Sequence, residues 1–180
     1  MKAAEPVCRV LEALGVPYAL VGGHAVGARG FPRMTVDYDF LTSDERVLEA
    51  GVWSELQREG ALVDARRGDL DDPLAGVVHL GLRDGVEADV IVARWQWQAD
   101  VIARAERLDL GGIVVPVPRT SDLILLKLAA GGLLDLQDVV ALLEVCADRE
   151  RVVAEVEARV VQLEPAAGEA WQRLRSARAR

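Results

Sequence analysis

Aromatic residues are scarce: two Phe, two Tyr and four Trp make up 4% of the 180 residues. The core must therefore be built from Leu, Val, Ile and Ala, and a 51% apolar fraction supplies enough of them for a normal interior. Cysteine is rarer still. Cys8 and Cys146 are isolated, in no CxxC or Cys/His cluster, which removes any zinc-site signal and fits a reducing compartment. No uninterrupted apolar run reaches the roughly 18 residues that a membrane span needs. The opening MKAAEPVCRV lacks the apolar stretch of a signal peptide, so a cytoplasmic protein with no membrane partner is expected. Basic charge is also short. Lys and Arg number 21 against 29 Asp and Glu, a formal net charge of −8, which argues against coating a polyanion over a broad surface. One local basic patch, or an anionic substrate held through metal, stays compatible with that balance.

The length favours one domain with a small helical appendage. Apolar Val7, Val10, Leu11 and Leu14 predict a helix over 3–14, stopped by Gly15 and Pro17. Tyr18 to Val21 reads as a buried strand, His24 to Ala28 as a short helix and Thr35 to Leu41 as a strand. Thr42 and Glu45 suggest a capping box for a helix running to about Glu59. Strands follow at 61–65, 77–82 and 86–93, the last two joined by the Asp84-Gly85 hairpin signal, with a loop over 66–76. A helix over 98–108, a Gly111-Gly112 turn and a strand over 113–117 come next. The remaining chain reads as helices over 121–130, 134–146, 149–163 and 167–178. The expected architecture is α+β, a small mixed sheet flanked by helices with a helical C-terminal part, divided as 1–147 and 148–180.

Chemistry concentrates in the segment from Tyr18 to Leu41. Gly22-Gly23 directly follows a strand and opens a helix, where missing side chains let backbone N–H groups approach phosphate oxygens; a plain tight turn is the other reading. Asp37 and Asp39 lie two apart on the next strand, so their carboxylates project to one face about 7 Å apart. Like charges that close repel unless a cation lies between them. Asp89 is a third acid in the middle of the apolar run Val86 to Ala93, with Glu87 two residues earlier as its rival. Three converging carboxylates suit two Mg²⁺ ions and a triphosphate.

This arrangement resembles the DNA polymerase β-like nucleotidyltransferases, which share a Gly-Gly turn, an acid pair on the next strand and a third acid on a later one. The pattern Gly22-Gly23-x-Ala25, then Gly30-x-x-Arg33-x-Thr35-x-Asp37-x-Asp39, is most similar to the minimal bacterial group that includes AbiEii-type toxins. Lincosamide-type antibiotic nucleotidyltransferases carry a similar Gly-Gly and acid pair. The similarity extends through Asp89 and through Val117 to Ala130 with Asp135 and Asp138, covering roughly residues 17–145. The resemblance implies the nucleotidyltransferase fold and transfer of a nucleoside monophosphate from an NTP to a hydroxyl, releasing pyrophosphate. It implies Asp37 and Asp39 on both metals, and Asp89 on the catalytic metal and as a base. Gly22 and Gly23 would contact the triphosphate, with Arg33 and Thr35 as further nucleotide-binding positions.

Other residues keep two readings. His24 stands where many members have a small hydroxyl residue; it touches the nucleotide or is structural. Lys127 is a lysine snorkelling at a helix edge, or a point charge for a phosphate. Asp135 and Asp138 orient it or solvate their own helix. His79 reads as structural. Trp95 and Trp97 pack against helices or stack a base. Arg173, Arg175, Arg178 and Arg180 form a basic tail that is solvated or meets RNA. For the acceptor, RNA (tRNA) or protein in a toxin–antitoxin or stress setting, with a possible antitoxin partner, ranks ahead of an antibiotic-type small molecule. A non-catalytic nucleotide- or partner-binding module is the alternative from another class.

Overall fold

Two strands of strict alternation set the architecture. Tyr38 and Phe40 alternate with Asp37 and Asp39, and Ala88 and Val90 alternate with Glu87 and Asp89, so each strand has one apolar and one acidic face. In the computed structural model, which describes residues 1–69 and 71–177, these become β2 (Asp37–Thr42) and β5 (Glu87–Ala93) of one sheet. The others are β1 (Tyr18–Leu20), β3 (Leu62–Arg67) and β4 (Leu74–Gly81), in the order β1-β2-β5-β4-β3. Only β2 and β5 run parallel; every other pairing is antiparallel, which makes the sheet mixed as expected. Tyr38, Phe40, Val78, Leu80, Ala88, Val90 and Val92 are buried on its inner face. Asp37, Glu87 and His79 are exposed and Asp39 and Asp89 half-buried on the other.

The chain forms two compact units, Met1–Ala25 with Arg33–Pro118, and Val26–Pro32 with Arg119–Arg180. The first holds the sheet, α1 (Glu5–Leu14), the start of α2 (Gly22–Ala28), α3 (Ser54–Arg58), α4 (Gln96–Ala103) and a hairpin of β6 (Glu106–Asp109) with β7 (Val114–Val117). Helix α1 ends at Gly15, which takes the left-handed conformation at φ 67°. α4 packs on β2 and β5, and buried Gln98 caps its start, its Oε1 accepting from the amides of Arg94 and Trp95 at 2.9 and 3.0 Å. Burial pushes the Cys8 thiol on α1 up to about 11. Cys8 is therefore expected to resist iodoacetamide at pH 8 in the native protein and to react on unfolding; mass spectrometry of the alkylated peptide checks this.

The second unit contains α5 (Thr120–Ala130), α6 (Leu133–Val145), α7 (Arg149–Glu157) and α8 (Pro165–Ala177). Arg159 links α5 to the chain beyond α7. Its Nη1 donates to the fully buried Asp122 and its Nη2 to Ser121 Oγ at 2.9 Å. The Ser121 hydroxyl in turn donates to Glu155 at 2.6 Å, and this bond, with Arg151, holds the Glu155 carboxyl below its usual range. Of the basic tail, Arg178 and Arg180 lie outside the described residues. Among the described residues no helix is long and apolar enough to cross a membrane.

Two expected helices are cut short. Residues 43–59 are two 3-10 turns (Glu45–Leu48, Ala50–Trp53) before the short α3, because Glu49 takes an extended conformation and Gly51 weakens any helix through it. The cap is Asp44, accepting from the Arg46 amide at 3.0 Å, whereas the Thr42 hydroxyl is drawn to the Pro17 carbonyl at 2.7 Å. This path buries Val47, Leu48, Trp53 and Leu56 together, with the Trp53 indole N–H donating to Val47 O at 2.7 Å. Residues 104–108 leave the expected helix for β6, because Gly111 and Gly112, both at positive φ, close a hairpin onto β7.

Candidate active site

The backbone brings the acids together before any side-chain contact does. In the parallel pairing of β2 with β5, Asp39 stands directly opposite Asp89, and Asp37 opposite Glu87. Residues two apart share a face, so these four carboxylates form a two-by-two array on the outer face of the sheet. Both candidates for the third acid lie on this face, Asp89 in the inner row with Asp39 and Glu87 in the exposed outer row. The inner row continues across the sheet. His79 on β4 is opposite Asp89, and Asp64 on β3 is opposite His79. His79 Nδ1 lies 2.7 Å from Asp89 Oδ1. Asp64 is taken by Arg66, whose Nε donates to it at 3.0 Å.

The glycine turn closes on the same place. Gly22 has φ 62°, and a Cβ there would stand 1.8 Å from Asp39 Oδ2. A Cβ at Gly23 would stand 2.9 Å from both Arg33 Nη2 and Thr35 Cβ. The structure therefore gathers Gly22, Gly23, Arg33, Thr35, Asp37, Asp39 and Asp89 within the first unit. The strand expected from Thr35 starts only at Asp37, which leaves Val36 78% exposed.

His24 goes elsewhere. Its ring stacks flat on Tyr38, centroids 4.0 Å apart with 4° between planes. Tyr38 alternates with the two aspartates, so the imidazole lies on the side of β2 away from the acid face. Its Nε2 is buried with no hydrogen-bond partner among the described residues. Burial, then the N-terminal ammonium and Arg33, hold His24 below the ordinary imidazole value, against a smaller opposite pull from Asp37. Lys127 is in the second unit, buried on α5, its ammonium 2.7 Å from Asp135 and 2.9 Å from Asp138. Trp95 is 52% exposed at the start of α4.

With this geometry in place, solved structures give the fold its family likeness. The antibiotic-resistance factor ANT(2″)-Ia matches over 89% of this chain and 91% of its own, with a TM-score of 0.59 and 16% identity. The lincosamide antibiotic adenylyltransferase LnuA, solved with lincomycin bound, matches over 81% and 97%, with a TM-score of 0.54 and 12% identity. A nucleotidyltransferase-like protein of Paracoccidioides brasiliensis matches over 95% and 91%, at 0.51 and 18%. The fold is the nucleotidyltransferase fold. No protein-family profile and no curated protein matches the sequence.

Within this nucleotidyltransferase fold Asp37, Asp39 and Asp89 give the outer sheet face a centre of carboxylate oxygens, the chemistry that a hard divalent cation takes. Donor type and strand register fit such an ion, and Gly22 leaves the Asp39 carboxylate room beside the turn. Among the described residues no three His, Cys, Asp or Glu side chains stand ready to hold a metal as they are. His79 is the residue that sequence reasoning passed over. Its alternation with Val78 and Leu80 carried the signal of a face, and only the pairing of β4 with β5 reveals that the face is that of Asp89.

Proposed function

We propose that the protein transfers a nucleoside monophosphate from an NTP to an acceptor hydroxyl, with Asp37, Asp39 and Asp89 at the reacting phosphate. One observation carries this reading: Asp39 and Asp89 oppose each other across parallel strands while the Gly22 backbone is pressed on the Asp39 carboxylate. Two opposed carboxylates repel, and the cations that accompany an NTP offset that repulsion. Asp37 and Asp39 would hold two Mg²⁺ ions, with Asp89 on the one nearer the acceptor. Bound there, the ions supply charge neutralisation for the triphosphate and the departing pyrophosphate.

The chain's own residues then have defined work. Gly22 and Gly23 present backbone without side chains to the triphosphate, and Arg33 and Thr35, gathered at Gly23, flank it. Asp89 accepts the proton of the acceptor hydroxyl. The hydroxyl oxygen bonds to the α-phosphorus, the bond from that phosphorus to the α,β-bridging oxygen breaks, and pyrophosphate leaves. Catalysis of this kind is positioning and charge stabilisation.

Charge favours one class of acceptor. Glu87 adds a further carboxylate to the face of Asp37, Asp39 and Asp89, while Asp64 is neutralised by the Arg66 guanidinium that donates to it. An RNA acceptor brings phosphates toward like charge, whereas a cationic small molecule of antibiotic type is drawn in.

The test is calorimetric titration of each NTP with Mg²⁺ into the wild type and into an Asp37→Ala/Asp39→Ala variant. Metal-dependent binding of an NTP that the double variant lacks is the expected result. A folded wild type that binds no NTP under any metal condition sinks the enzyme reading and leaves a binding module.

A further inference from the structure

We propose that His79 is a positioning residue for Asp89: its Nδ1–H holds one carboxylate oxygen so that the other is aimed at the metal and acceptor. This rests on the nucleotidyl-transfer reading of the acid face. The 2.7 Å separation suits an Nδ1–H donated to the Asp89 carboxylate, whose oxygens are acceptors. Strand register fixes the rest. His79 and Asp89 are directly opposed on β4 and β5, so the imidazole reaches Asp89 from the flank opposite Asp39. The row therefore runs Asp39, Asp89, His79, with Asp89 held between an acid and a donor.

Stability does not explain this pair. The His79 and Asp89 side chains are 46% and 34% exposed, and a contact that wet adds little to folding. Its effect is on direction. A carboxylate has a broad, roughly two-fold last torsion, so its own strand does not fix where the Asp89 oxygens point. A donor on the far side fixes the plane of the carboxylate. Partners of metal-ligating groups act in this way, and their loss weakens metal binding by roughly 10–100-fold.

The test uses Mn²⁺ alone, with free ion followed by electron paramagnetic resonance, on the full chain. Asn carries an N–H donor at the branch position of His Nδ1, whereas Gln carries it one atom further out. His79→Asn is expected to keep wild-type Mn²⁺ affinity, and His79→Ala and His79→Gln to lose roughly 10–100-fold, all with unchanged thermal midpoints. A merely structural role does not produce that split between Asn and Gln. Wild-type affinity in both His79→Ala and His79→Gln, with Asp39→Asn and Asp89→Asn weakened, overturns the role of His79 and leaves the metal site standing. Wild-type affinity in Asp39→Asn and Asp89→Asn removes the metal site itself, and this role falls with it.

Discussion

Gly22→Ala is expected to abolish most NTP-dependent activity, by about 100-fold or more, in a protein that remains folded. The added methyl would sit 1.8 Å from Asp39 Oδ2, closer than any two nonbonded atoms stand. Either the carboxylate rotates away or the turn shifts, and a displacement of order 1 Å at reacting groups costs about 10²-fold. A second, smaller penalty comes from the backbone, since φ 62° is left-handed and costs a residue with a side chain roughly 1–2 kcal/mol. Gly15→Ala separates the two. Gly15 has almost the same φ, 67°, and open space around its missing Cβ, so it pays the backbone penalty alone. The thermal midpoint of Gly15→Ala is expected to fall by the backbone penalty alone and that of Gly22→Ala to fall further, while Mg²⁺-dependent NTP binding is lost only in Gly22→Ala. Unchanged binding in Gly22→Ala would show that the Asp39 carboxylate is not needed where it stands.

The sequence exposes the acid pair because its signal is local. Asp37 and Asp39 sit two apart beside Tyr38 and Phe40, and a strand puts them on one face whatever lies next to it. Gly22-Gly23 is legible for the same reason: the absence of a side chain is visible without knowing what comes near. The partner of that turn is not visible. That Gly22 meets Asp39, and Gly23 meets Arg33 and Thr35, depends on how β1 and β2 pair. The row of Asp39, Asp89, His79 and Asp64 is less legible still, because it strings together residues 39, 89, 79 and 64 through the strand order β2-β5-β4-β3. Nothing in the local pattern of β4 distinguishes a histidine facing solvent from one facing an acid.

The fold divides along similar lines. Helix α1 with its Gly15 stop, the Arg83-Gly85 hairpin and the mixed sheet all follow from short-range signals. The segment over 43–59 does not, because burial of Trp53 against Val47 outweighs the helix propensity of its Glu- and Leu-rich sequence. Residues 106–109 have no strand pattern of their own, with three of four exposed, and become β6 only through pairing with β7. Tertiary contact decides both segments, and tertiary contact is what a single sequence shows least.

Lys127→Met is expected to destabilise the protein by roughly 3–5 kcal/mol, the effect of stripping the partner from a buried charge. Sequence leaves Lys127 between a snorkelling side chain and a phosphate ligand. The ammonium is instead inside, its side chain 9% exposed, with Asp135 at 2.7 Å and Asp138 at 2.9 Å. The Asp138 side chain is only 3% exposed, so methionine takes the ammonium away from a carboxylate with little water around it. A chain of this size loses about 2–4 °C of thermal midpoint per kcal/mol, so a fall of about 6–20 °C is expected. The companion variant Lys127→Met/Asp138→Leu removes the lysine together with its more buried carboxylate and recovers part of that loss, while the more exposed Asp135 stays hydrated. The melts also decide between the roles. A lysine that served only a phosphate would leave the midpoint of Lys127→Met within about 0.5 kcal/mol of wild type while weakening NTP binding, and the double variant would recover nothing. The geometry of α5 and α6 points to the first result: Asp135 and Asp138, one turn apart on α6, converge on a single ammonium from α5, and that convergence holds the two helices together.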